Sequence, residues 1–136
     1  MSEITIKITD RTGAKFAGLE KGVERFVKKG IGYLEGEIKG SMAKPKHGRS
    51  YKRGGKVHIA SAKGESPAID SSNYIGSIQQ VFPSPLEGLL GTNASADGFP
   101  YPVWLEEKME RPLWEFEAKE ALPTLEQILR QEVHGV

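Results

Sequence analysis

Between Lys44 and Lys63 the chain carries Lys44, Lys46, Arg49, Lys52, Arg53, Lys56 and Lys63, with no carboxylate among them. Cations interleaved with His47 and Tyr51 can neutralise phosphates by releasing counterions, without reading a base sequence. From Glu106 onward the balance reverses, and 8 glutamates face 4 lysines and arginines. Three readings of the basic segment stay open on these residues. It is a solvated loop, a surface facing nucleic acid, or one half of a repeated contact in which the basic segment of one copy meets the acidic helix of the next.

Other chemistry finds little support. The sequence contains no GxxxxGK[ST] phosphate loop, no GxGxxG and no HExxH. His47, His58 and His134 fall in a loop, a strand and the C-terminus without ligand spacing, so no metal or other cofactor is expected. Glu106 and Glu110 share a helix face, and paired carboxylates serve glycoside hydrolysis, but nothing beside them suggests a cleft. They read as a solvated helix surface, and the chain reads as a non-enzyme.

Composition sets the frame for these residues. A chain of 136 residues suits a single domain with one modest core, and 16 glycines with 8 prolines leave much of it for loops. The absence of cysteine removes disulfides and thiolate chemistry and favours a reducing compartment, the cytoplasm. No apolar run approaches the roughly 18 residues of a membrane span.

Several elements would position the charged segments. "EITIKI" alternates Ile4, Ile6 and Ile8 with polar residues and predicts a strand over 3–9. From about Lys15 to Met42, Leu19, Val23, Phe26, Val27, Ile31, Leu34 and Ile38 recur at helical steps. Five glycines interrupt this helix, and Gly18, Gly22, Gly32, Gly36 and Gly40 fall within about 80° of arc on one flank. Each costs about 1 kcal/mol against alanine. Either the helix is shorter or broken near Gly30 and Gly32, or the strip admits another backbone, such as a neighbouring subunit. Residues 43–56 show no periodicity and read as a mobile basic loop, followed by a strand over 56–61. Further on, "YIGSIQQVF" and "LEGLLGTN" read as antiparallel strands joined across "PSP", with the first beginning near Tyr74. Helices are expected from Tyr101 to about Met109 and from Pro112 to Val133, the second bending or restarting at Pro123. The class is α+β: a small antiparallel-rich sheet packed with one long N-terminal helix and C-terminal helices.

Between the two halves lies the polar joint "GESPAIDSSNYIGSI", residues 64–78, where Pro67 and the capping side chains of Asp70 and Ser71 would fix the entry to the next element. The aromatic-rich stretch "FPYPVWLEEKMERPLWEF" follows at 99–116. Its aromatics suit core packing and interfaces alike.

The joint and the later segments together resemble the neck or tail-completion proteins of long-tailed phages. The joint is similar to the family's Gly-Glu-x-Pro-Ala-x-Asp-Thr-Gly-x-Leu-x-x-Ser-Ile at Gly64, Glu65, Pro67, Ala68, Asp70, Ser77 and Ile78. "GTN" and "YPVWLEE" resemble its Gly-Thr-Asn and Tyr-Ala-x-Tyr-Leu-Glu at Gly91, Thr92, Asn93, Tyr101, Leu105 and Glu106, and "RPL" at 111–113 its entry to the last helix. Ser71, Ser72 and Tyr74 depart from the pattern, as does Glu107, which stands where the family continues Phe-Gly-Thr. The resemblance implies a virion structural protein at the head-to-tail junction: a ring of sixfold or related symmetry, built in the host cytoplasm, meeting head-closure and tail proteins around a DNA channel. It implies that Lys44, Lys46, Arg49, Lys52 and Arg53 face the channel or a neighbouring ring, with non-specific contact to packaged DNA. Gly32, Gly36, Gly40, Tyr101, Trp104, Arg111 and Trp114 become candidates for subunit contact or packing. The competing expectation is a small cytosolic nucleic-acid-binding domain that uses the loop at 44–56.

Overall fold

The computed structural model describes residues 3–9, 19–53, 55–69, 73–95 and 101–133. The long helix α1 runs from Glu20 to Ala43 without a break and turns Val23, Phe26, Val27, Ile31, Leu34, Ile38 and Met42 inward. The expected interruption near Gly30 does not occur, because burial of that stripe outweighs the poor propensity of the glycines. The helix stops at Lys44, whose extended backbone is the conformation a residue before proline prefers.

Strand β1 (Glu3–Lys7), strand β4 (Gln79–Ser84) and strand β5 (Glu87–Gly91) form an antiparallel sheet in the order β1-β5-β4. Ile4 pairs with Leu90 and Ile6 with Gly88, so the apolar sides of β1 and β5 lie over α1. Gly88 makes that approach possible: a Cβ there would stand 2.6 Å from the Ile31 side chain and 3.1 Å from that of Val27.

Helix α3 (Tyr101–Glu107) leads to helix α4 (Trp114–Val133), which packs against α1. The two helices approach closely at Gly22, where a Cβ would stand 2.5 Å from the carbonyl oxygen of Glu132. The Glu132 carboxylate accepts hydrogen bonds from Arg25, at 2.7 Å, and from Lys29. Helix α4 continues through Pro123, with no restart. The missing N–H leaves the carbonyl of Lys119 without its intrahelical donor, on an exposed stretch that water can reach. Leu34, Ile38, Tyr74, Ile78, Leu90, Leu113 and Trp114 join the core between α1, β5 and α4.

Two segments differ from the sequence expectation. The basic stretch is a loop only to Arg49, and from Ser50 it forms strand β2 (Ser50–Arg53), paired antiparallel with strand β3 (Lys56–Ile59). Tyr74 does not start a strand. It lies in the helical turn α2 (Asn73–Gly76), and β4 begins at Gln79. The apolar spacing of Tyr74, Ile75 and Ile78 fits either element, and the buried Tyr74 contact with α4 favours the turn.

Candidate functional site

Strands β2 and β3 form a two-stranded sheet apart from the main one. Pairing continues beyond the strands, with Gly48 N–H donating to Ala60 O at 2.8 Å and Ala60 N–H to Arg49 O at 3.0 Å. The hairpin is therefore an arm roughly 20 Å long from neck to tip at about 3.4 Å per residue. Gly55, at φ 81°, completes a two-residue connection of the kind that demands glycine. At the neck a side chain on Gly48 would strike the Ala60 and Ser61 carbonyls, 2.5 and 2.7 Å away.

One carboxylate closes the neck. Glu65 Oε1 accepts from Ala62 N–H at 2.6 Å and His47 N–H at 2.9 Å, while Oε2 lies 2.7 Å from His47 Nδ1. These donors hold the Glu65 carboxyl down at about 2, the backbone N–H groups of Ala62 and His47 contributing most. Arg111 Nε donates to Ser61 Oγ at 2.9 Å, and Gly64 N–H to the carbonyl of Glu110 at 2.8 Å. Glu110 holds the left-handed φ of 53°, a backbone state uncommon for a residue with a side chain. The neck is thus tied to the connection between α3 and α4.

Of the cations expected at a partner surface, Lys44, Arg49 and Lys52 are exposed, and Arg53 lies on β2. Lys46 is turned back into the fold instead. Its ammonium donates to Ser41 O at 2.9 Å and Ser66 Oγ at 2.6 Å, covering the C-terminal end of α1, where a cation is favoured. Burial lowers its pKa against the opposing pull of Glu65. Val57 and Ile59, on one face of the arm, are 67 % and 46 % exposed. Lys52 pairs with Val57 and Ser50 with Ile59, so that face combines apolar groups with a cation.

The second cluster is the aromatic joint. Trp114 is wholly buried, and its Nε1 donates to Tyr74 OH at 2.8 Å. Burial pushes the Tyr74 phenol far above its ordinary value, against the hydrogen bond from Trp114. Tyr74 stacks edge-on to Tyr101 at 5.8 Å, and Asn73 donates to Tyr101 OH at 2.9 Å. Glu106 Oε1 accepts the N–H groups of Leu113 and Trp114, capping the start of α4. Ser77 and Thr92 share a hydrogen bond of 2.5 Å. Trp114 and Tyr101 are therefore packing residues, Arg111 braces the neck, and Trp104 remains 41 % exposed. Pro67 is buried, while Asp70 and Ser71 lie outside the described residues.

Gly32, Gly36 and Gly40 line the outer flank of α1 with open space where a Cβ would stand. Gly22 of the same strip faces α4 instead. Sequence reasoning gave Glu65 no role beyond its motif and missed the arm, although Gly54-Gly55 between two short strand-like runs was a readable turn signal. Among the described residues no group of three His, Asp or Glu side chains is placed to hold a metal ion, and no described helix is long and apolar enough to cross a membrane. No protein-family model, no curated protein and no solved structure matches the chain.

Proposed function

We propose that the protein is a virion structural component of the head-to-tail junction of a tailed phage, acting by ring assembly around the DNA channel rather than by chemistry. The observation that carries this reading is where the motif residues sit. The three segments that resemble the neck family meet in one scaffold: Ser77 bonds Thr92, Glu106 caps α4, Glu65 closes the neck and Arg111 braces it. What they support is an arm that leaves Val57 and Ile59 in water. An isolated two-stranded hairpin is marginally stable, so an arm of this kind suits a protein completed by its neighbours. Helix α1 offers its open glycine flank as a second contact, and head-closure and tail proteins would meet the faces of the ring.

Removing the gene from the genome that encodes the protein is the test. The expected result is DNA-filled heads and finished tails that fail to join, whereas a normal yield of complete particles would contradict the proposal.

A second reading rests on the exposed cations of the arm, Arg49, Lys52 and Lys56, which no acid interrupts. A cytosolic nucleic-acid-binding domain would use them on phosphates. Its mark is binding of the isolated protein to short duplex DNA that weakens steeply as salt rises.

A further inference from the structure

The outer edge of β1 and the face of α4 beside it enclose an apolar groove of about 550 Å³ lined by Ile4, Ile6, Leu122, Leu125 and Leu129. A second hollow, of about 460 Å³, continues it past Ile4, Ala118 and Leu122 and is rimmed by Glu3 and Glu115. Among the described residues β1 pairs only with β5, so its other edge offers backbone groups to an incoming strand. Leu122 stands 62 % exposed between the two hollows. Around the first turns of α4 the adjoining hollow gathers Glu106, Glu110 and Glu115, and with Glu115 paired to Lys119 at 3.3 Å and Glu110 to Lys63 at 2.8 Å the surface keeps an excess of one carboxylate.

The arm matches this surface in both respects. It bears cations without a single acid, and its apolar pair, Val57 and Ile59, has the strand geometry that an open sheet edge accepts. We infer that the β2–β3 arm of one copy docks on a second copy, Val57 and Ile59 entering the groove between β1 and α4 and Lys52, on the same face of the arm, meeting Glu3 and the glutamates at the start of α4. Arm and groove are different surfaces of one chain, so the contact is heterologous and passes from copy to copy, closing a ring if the rotation permits. The inference rests on the ring reading and supplies its interface.

The chain has no cysteine, which makes the contact directly testable. Val57→Cys and Leu122→Cys are prepared as separate proteins at exposed positions, checked for folding by circular dichroism, mixed and gently oxidised. The expected product is a disulfide-linked heterodimer formed in preference to either self-linked pair. In parallel, Lys52→Glu is expected to weaken self-association about tenfold. A protein that assembles by light scattering but yields no 57–122 link overturns the arm contact and leaves the ring reading standing. A 57–122 link in a species that never grows past a pair supports the contact and removes the ring. Absence of both link and association at the highest attainable concentration overturns the inference.

Discussion

The carboxylate of Glu65 takes the backbone N–H of His47 at 2.9 Å and lies 2.7 Å from the same residue's ring Nδ1, while also accepting the N–H of Ala62 at 2.6 Å. The chain enters and leaves the arm at these two residues. A single charged side chain therefore holds both ends of the neck together.

Strong acid should loosen the arm. The Glu65 carboxyl is lowered from 4.5 to about 2 in the folded protein, so its contribution is full above 4.5 and is lost as pH falls through about 2. Glu35, held down mainly by Lys39, and Glu132, held down mainly by Lys29, act with the same sign. The protection of the arm amides, taken relative to their intrinsic exchange rate at each pH, is expected to fall across this window, and in Glu65→Gln to be low at neutral pH already. An arm equally protected in that variant would show that the neck does not depend on the carboxylate.

Two lysines of the basic segment should behave in opposite ways. Lys46→Ser leaves the carbonyl of Ser41 without its ammonium donor and is expected to cost about 1 kcal/mol in urea unfolding. Lys52→Ser, on the exposed arm, is expected to stay within about 0.5 kcal/mol of the parent. Its effect should fall on association instead.

The glycines of α1 divide in the same manner. Gly22→Ala drives a Cβ against the Glu132 carbonyl and is expected to destabilise the protein by about 1–3 kcal/mol. Gly36→Ala meets open space and should stabilise the isolated chain by up to about 1 kcal/mol. If the outer flank is a subunit contact, the triple change of Gly32, Gly36 and Gly40 to Ala raises thermal stability and lowers assembly together. Unchanged assembly would remove the flank from the interface.

In the aromatic joint, Tyr74→Phe leaves the indole N–H of Trp114 buried without its acceptor, at a cost of about 1–3 kcal/mol. Unfolding followed by tryptophan fluorescence measures it. A neutral result would mean that another acceptor takes over.

Much of the framework was legible in the sequence because it follows periodicity. The alternation of Ile4 and Ile6 and the helical recurrence from Val23 to Ile38 each correspond to an observed element, and the proline-bearing connection is observed as a turn at Pro85 and Leu86, with Pro83 and Ser84 inside β4 rather than in the turn. The arm was not, since Ser50–Arg53 contains no aliphatic residue and pairing with β3, rather than burial, makes it a strand. Tyr74 was misread because its turn is fixed by a partner 40 residues away. The inward course of Lys46 depends likewise on Ser66, which no local pattern brings near the end of α1.

Assembly is the claim on which the account turns, and light scattering of the purified protein across a wide concentration range tests it most directly. The expected result is a mass that rises and then holds at a closed multiple of the 14.9 kDa chain. A mass that stays at one chain throughout would contradict it.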